Sequence, residues 1–240
     1  VVVHIVTIFP EYFNGAINCG HLRIAQEQAF LTLNILNLRD YTDDAHRSVD
    51  DAPFGGGAGM ILKPTPIFRA VESVRKPQTR IVLLSAHGRR FDQEIALELS
   101  KIEELILVCG RYKGVDERVA EHLATDEISI GDYIIAGGEA AALVILEAIV
   151  RLGDGVVGDA ESVWTDSFSR GVLDAPQYTR PADFRGYQVP AVLLSGNHEA
   201  IRRWRLEQTM KLTWQRRPEL LNQVTLTQEE EKILTEVRNG

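Results

Sequence analysis

Three glycine-bearing segments have the residue types to hold a small molecule: Ser85-Ala86-His87-Gly88, Cys109-Gly110-Arg111-Tyr112-Lys113-Gly114, and Ser129-Ile130-Gly131-Asp132-Tyr133-Ile134-Ile135-Ala136-Gly137-Gly138-Glu139. The first two directly follow β-rich runs. Loops at the carboxyl ends of parallel strands are where open α/β sheets bind ligands, and glycine lets backbone amides and carbonyls approach a planar group closely. Each loop alone reads equally as a tight turn, but three together point to a ligand site. None is a phosphate cradle, and G-x-x-x-x-G-K-[ST] does not occur, so the expected ligand is an adenine-containing molecule without a polyphosphate. Gly153-Asp154-Gly155-Val156-Val157-Gly158 matches G-x-G-x-x-G but follows a helical pattern, outside the strand–turn–helix context of a dinucleotide site. His198-Glu199 opens like H-E-x-x-H, yet position 202 is Arg. A fourth segment, Gly55-Gly56-Gly57-Ala58-Gly59, reads as a mobile connector or a loop pressed against another backbone.

A second chemistry lies in the last third. Between His198 and Arg217 stand six basic residues, Arg202, Arg203, Arg205, Lys211, Arg216 and Arg217, against Glu199 and Glu207, beside Trp204 and Trp214. Arg and Lys suit phosphate contacts, whereas the Leu206, Met210, Trp214 stripe at spacing four suits helix packing.

The elements that must position these residues are legible from pattern. Val2 to Ile8, Leu31 to Leu38, Arg80 to Ser85 and Glu104 to Cys109 read as strands. Helices are expected after Thr65-Pro66, with Ile67, Val71 and Val74 on one face, and around Val115, Val119 and Leu123. The alternation predicts an α/β fold with a mostly parallel sheet covered by helices. From Gly153 to Pro190 lies a linker or lid longer than an ordinary loop. Asn197 then reads as the N-cap of a helix, and a short helical tail follows Thr227.

Composition narrows the class. The chain has 240 residues, 45% hydrophobic and 25% charged, enough apolar material for a sizeable core. Two cysteines, Cys19 and Cys109, make neither a disulfide scaffold nor a metal cage, and a reducing, cytoplasmic setting is expected. The apolar start reads as a strand rather than a signal peptide, and the Ala140 to Leu146 run is too short to span a membrane. A formal net charge of −8 argues against coating DNA, RNA or an anionic membrane by bulk charge. Its distribution is uneven: residues 1–160 hold 15 Lys and Arg against 23 Asp and Glu, whereas residues 161–240 hold 11 of each. The charge therefore rules out only indiscriminate binding.

Asp40-Tyr41, His46-Arg47-Ser48-Val49-Asp50-Asp51, Gly55-Gly56-Gly57-Ala58-Gly59-Met60 and Cys109-Gly110-Arg111-Tyr112-Lys113-Gly114-Val115-Asp116 together resemble the bacterial tRNA (guanine-N1)-methyltransferase family acting on guanine 37. So do Ser129-Ile130-Gly131-Asp132-Tyr133, Leu173-Asp174-Ala175-Pro176-Gln177-Tyr178-Thr179-Arg180-Pro181, Leu194-Ser195-Gly196-Asn197-His198 and Arg202-Arg203-Trp204-Arg205. The likeness runs in register from Ile8-Phe9-Pro10 to Leu220-Leu221. It implies a SPOUT-type α/β domain with a deep C-terminal trefoil knot over 1–160, a linker or lid over 161–176, and a small helical tRNA-binding domain over 177–240. Pattern alone would draw an unknotted sheet.

The same resemblance implies S-adenosylmethionine as methyl donor, held by Leu83, Leu84, Ser85, Gly110, Ile130, Gly131, Asp132, Tyr133, Ile134, Ile135, Gly137 and Gly138. It implies a homodimer, tRNA with guanine at position 37 as substrate, RNA contacts at Arg202, Arg203, Arg205 and Lys211, no protein-held metal site, and a dependence on magnesium. Guanine N1 carries a proton at neutral pH, so its methylation needs a base while negative charge develops toward O6. By resemblance the base is Asp166, in Trp164-Thr165-Asp166-Ser167-Phe168, and the O6 partner is Arg151. Read by themselves, Arg151 could pair with Glu147 and Asp166 could cap the turn at Ser167. The resemblance also implies a segment, 162–179, that orders with tRNA. Lys113 departs from the usual Glu, and Ala58 and Ala141 from the usual Pro. The readings from other classes are a regulatory nucleotide-binding protein and a non-catalytic RNA-binding module; a SPOUT enzyme with another target base is a third.

Overall fold

The computed structural model describes residues 1–153, 155–157 and 165–239. The chain divides into two compact units, Val1–Gly158 and Asp159–Gly240.

In the first unit the chain forms strands β1 (Val2–Thr7), β2 (Thr32–Asn37), β3 (Asp50–Asp51), β4 (Ile61–Leu62), β5 (Arg80–Arg90), β6 (Glu104–Cys109) and β7 (Asp126–Ser129). Five of them make one sheet in the order β2-β1-β6-β5-β7, with every neighbouring pair parallel. Around it lie helices α1 (Gly20–Glu27), α2 (Pro64–Glu72), α3 (Gln93–Ser100), α4 (Glu117–His122) and α5 (Gly138–Val150). Because both faces are covered, central β6 reads as a continuous apolar run and is buried throughout. Its side chains alternate: Leu105 and Leu107 join Leu22, Leu99 and Ile145 on one face, while Ile106 and Val108 join Ile67, Val71 and Val119 on the other. No helix among the described residues is long and apolar enough to cross a membrane.

In the five-stranded sheet the expected strands fall where pattern placed them, with two differences; the short β3–β4 pair was not expected. β5 does not stop at Ser85 but continues to Arg90, shifting its pairing with β7 between Leu84 and Arg89. Gly88 permits this, since a Cβ there would lie 2.3 Å from the Glu127 backbone. β7 was not anticipated, being only four residues, two of them acidic. The helix expected around Val115 begins two residues later, at Glu117, because Asp116 caps it through Arg118 N (3.1 Å) while Val115 bridges to Leu62.

A partly buried ionic cluster lies at the amino end of the sheet, with Glu104 buried and Lys76 exposed. Glu104 on β6 accepts hydrogen bonds from Lys76 Nζ and from Thr79 Oγ1 (3.1 Å), and His4 Nε2 lies 3.8 Å away. Burial pushes the Glu104 carboxyl up, but the Lys76 and Thr79 hydrogen bonds and the nearby Lys76 charge outweigh it and hold it below 4.5. Burial, opposed by Glu104, holds His4 below its ordinary 6.5. The signs agree. The native state resists protonating His4 as pH falls below 6.5, and it loses the Glu104 contribution as pH falls below 4.5 toward the depressed native value. Thermal melting between pH 7.5 and 4 is therefore expected to show falling stability, with Glu104→Gln less stable at pH 7 and flatter below pH 4.5. Parallel curves for the two proteins would contradict this.

The second unit contains a hairpin of β8 (Asp183–Phe184) and β9 (Tyr187–Gln188), then helices α6 (Ala191–Leu194), α7 (His198–Arg216) and α8 (Gln228–Asn239). Asn197 caps α7, its side chain accepting from Ala200 N at 3.1 Å. Before α8, Thr227 and Glu230 form a reciprocal capping box: Thr227 N donates to Glu230 Oε2 (2.8 Å) and Glu230 N to Thr227 Oγ1 (3.3 Å). The small core joins Val172, Met210 and Ile233. Segment 165–179 contributes to it, for Leu173 N donates to buried Thr213 Oγ1 at 3.1 Å and Arg170 pairs with buried Glu230 at 2.6 Å.

Candidate functional site

The three glycine-bearing segments converge on a cleft of about 230 Å³ beside residues 83–87 of β5 and the carboxyl ends of β6 and β7. Gly138 N, at the start of α5, donates to Gly110 O at the end of β6 (2.8 Å), and Arg111 bridges to Gly137. The approach is close: a Cβ on Gly138 would sit 2.7 Å from Cys109 Cα, and one on Gly110 would sit 3.4 Å from Leu84 O. Side chains are absent where the two loops meet because the backbones already fill the space. Gly131, at φ +147°, turns the chain after β7 so that Tyr133 folds back, its hydroxyl donating to Ile130 O at 3.3 Å. Beyond it Ile134 is 89% exposed.

Polar groups brace this frame from below. Glu139 in the first turn of α5 is buried; its Oε1 accepts from Thr7 Oγ1 at 2.7 Å, and its Oε2 lies 3.5 Å from Arg111 Nη1. The Arg111 guanidinium stacks 4.6 Å over Phe9. One carboxylate thus links the ends of β1 and β6 to α5. Burial and the Glu139 charge push the Cys109 thiol up, so it remains a protonated, apolar filler. The glycine-rich segment is tied to the rim, with Lys113 N donating to Met60 O at 3.0 Å and Leu62 N to Gly114 O at 3.1 Å. A Cβ on Gly59 would meet the Lys113 side chain, Cγ at 2.8 Å, whereas one on Gly55, Gly56 or Gly57 would meet nothing within 4 Å, so only the end of this segment is packed.

The model of the family described as tRNA (Guanine-1)-methyltransferase TrmD matches residues 1–223. The chain belongs to this methyltransferase family. It is 52% identical over 236 residues to a tRNA (guanine-N(1)-)-methyltransferase of Dictyoglomus turgidum, covering 98% of this chain and 96% of the relative. Proteins of the same name from Anoxybacillus flavithermus (49% identical, 96% of this chain and 95% of the relative) and Bacillus cereus strain AH820 (50%, 99% of each) are equally similar in extent.

For this methyltransferase the placement of each expected site residue can be stated. Leu83, Leu84, Ser85, Gly110, Ile130, Gly131, Tyr133, Ile134, Ile135, Gly137 and Gly138 all line the cleft, while Asp132 is exposed and outside the lining. The cleft also takes in Arg111, Tyr112, Lys113, Glu117 and Glu127. Of these, the first three stand in a segment whose glycines marked it; Glu127 carried no signal because β7 itself was missed. The lining fits a flat, uncharged heterocycle: apolar Leu83, Leu84 and Ile135 stand beside bare glycine backbone.

Arg151 directly follows α5 and is half-buried. Asp166 is half-buried in the second unit, its carbonyl accepting from Ser169 N at 3.2 Å. Trp164, the expected domain boundary at 160 and the first residues of the expected linker lie outside the described residues. Among the described residues no group of three or more His, Cys, Asp or Glu is placed to hold a metal ion.

The four cations expected to contact RNA all lie on α7 and are exposed, but their surroundings differ. Arg202 is held between Glu199 and Glu229 (both 2.8 Å), and Arg203 pairs with Glu207 at 2.9 Å. Arg205 and Lys211 make no ion pair among the described residues. Of the expected packing stripe, Met210 is fully buried, whereas Trp214 is partly exposed under the Arg238 guanidinium at 4.5 Å.

Proposed function

We propose that this chain methylates N1 of guanine 37 in tRNA, using S-adenosylmethionine bound in the cleft lined by the three glycine-bearing segments. The observation that carries the reading is that cleft: the glycine-bearing segments assigned to the cofactor by resemblance come together around one space, walled in part by apolar Leu83, Leu84 and Ile135, in a chain of the tRNA (guanine-1)-methyltransferase family. S-adenosylmethionine, when bound, supplies a methyl group activated on a sulfonium. Leu83, Leu84 and Ile135 hold the adenine by apolar contact, and the backbone of Gly110, Gly137 and Gly138 supplies close polar contacts that a side chain would obstruct. Asp166 accepts the guanine N1 proton, and Arg151 donates to O6 as negative charge gathers there.

The reading includes a trefoil knot in the first unit, with 161–176 as linker or lid and 177–240 as the tRNA-binding domain. Two features support the knot. The chain leaving β7 returns past β5 to meet Gly110 at the end of β6, while the extension of β5 is drawn to Ile128 and Ser129 in β7. Connections that cross on one sheet edge are what ordinary unknotted sheets avoid. The reading also includes a homodimer whose active sites draw on both subunits, and a cytoplasmic setting. On α7, Arg205 and Lys211 are the cations best placed for phosphate contacts, since Arg202 and Arg203 already face carboxylates.

The test is single-turnover methyl transfer from labelled cofactor to anticodon stem-loops. Label is expected on RNA with guanine at position 37 and not on the same RNA with adenine there. Transfer to both, or to neither, would overturn the assignment.

A further inference from the structure

The β8–β9 hairpin presents an aromatic pair that the core of its own unit does not use. Phe184 and Tyr187 are directly opposed across the two strands and therefore share one face. They are 57% and 79% exposed, in contrast with Val172, Met210 and Ile233 in the core. The opposite face satisfies itself: Asp183 Oδ1 accepts from Gly186 N at 3.0 Å, and its Oδ2 accepts from Gln188 at 3.5 Å. Both faces of the hairpin are exposed, one apolar and the other polar.

The turn between the strands is Arg185-Gly186, with φ of 58° and 85°. A two-residue turn with both residues at positive φ favours Asn-Gly or Gly-Gly, and an arginine at the first position gives up roughly 1 kcal/mol of backbone energy. The side chain this retains is informative. The Arg185 guanidinium lies 5.1 Å over the Phe184 ring, and neither Arg185 nor nearby exposed Arg180 has a carboxylate partner among the described residues. By contrast Arg170, Arg202, Arg203 and Arg217 are all paired. Two exposed rings, a stacked planar cation and a second unmatched cation, on a protein of net charge −8, match the chemistry of single-stranded RNA: π faces for bases and positive charge for the backbone.

We propose that the hairpin is a stacking platform for unpaired bases of the tRNA, with Phe184, Tyr187 and the plane of Arg185 as its contact surface. This rests on the tRNA reading above and extends it to a surface separate from α7. The full-length protein is tested with an unmodified tRNA transcript bearing guanine at position 37. Phe184→Leu/Tyr187→Leu, which keeps apolar bulk and removes both rings, is expected to weaken binding about 10- to 100-fold. Cofactor affinity and kcat at saturating tRNA are expected to stay unchanged. Phe184→Tyr/Tyr187→Phe, which keeps the rings, is expected to bind like the wild type. The proposal is overturned if the leucine variant binds within twofold of wild type, or if the ring-swapped variant loses as much as the leucine variant. It is also overturned if sedimentation shows that the leucine variant has changed its self-association, which makes the hairpin a protein interface. A wild-type chain that transfers no methyl group to this tRNA would instead remove the reading on which the proposal rests.

Discussion

Asp166→Asn is expected to slow single-turnover methyl transfer by about 10²–10⁴-fold, the span of a lost general base. The amide has nearly the shape of the carboxylate but cannot take up a proton at neutral pH. Guanine N1 would then have to lose its proton to water while O6 becomes negative, and no other group is assigned to that proton. Cofactor titration by calorimetry is expected to be unchanged, because Asp166 belongs to the second unit and the cleft-lining residues proposed to hold the cofactor belong to the first. Wild-type turnover in Asp166→Asn would leave the carboxylate with the turn-capping role that its sequence position also allows.

Gly138→Ala is expected to weaken S-adenosylmethionine binding at least tenfold and to destabilise the protein by about 1–3 kcal/mol, the usual range for overpacking. The added methyl would stand 2.7 Å from Cys109 Cα, 3.0 Å from Gly110 N and 3.1 Å from Cys109 Cβ. Two of these are backbone atoms at the end of a fully buried strand, so the first turn of α5 must move away and strain the Gly138 N to Gly110 O hydrogen bond. That hydrogen bond sets the spacing of two cleft walls. Gly15→Ala is the control: nothing lies within 4 Å of its added methyl, and its φ of −75° suits any residue, so a change within about 0.5 kcal/mol is expected. Calorimetry and thermal melting measure both variants. Undiminished cofactor affinity in Gly138→Ala would mean that the loop contact does not shape the site.

Much of the parallel sheet was legible because its strands are short Val, Ile and Leu runs bounded by polar or glycine segments, most plainly where a strand is buried throughout. β6 runs Glu-Leu-Ile-Leu-Val-Cys without interruption and was bounded to the residue. The N-cap at Asn197 was equally plain, since an Asn before a helical pattern offers its side chain to the first free amides. β7 was missed for the complementary reason: Asp126 and Glu127 belong to its four residues, and Asp126 is accommodated only through Arg80 (2.9 Å) and Arg89 (2.6 Å) on β5. Those partners are 46 and 37 residues away, beyond any local pattern.

By itself the sequence determined the alternating architecture, the segments that line the cleft and, through motifs in register across most of the chain, the family. Those properties are local, resting on periodicity, capping and glycine placement. Only the tertiary structure decided which cations on α7 are already matched, that β5 runs on to Arg90 across β7, and that Phe184 and Tyr187 face solvent while Trp214 lies under Arg238. Each of these depends on which distant side chain or strand comes to lie alongside. Residue type states what a group can do; its neighbours in space decide whether it is free to do it.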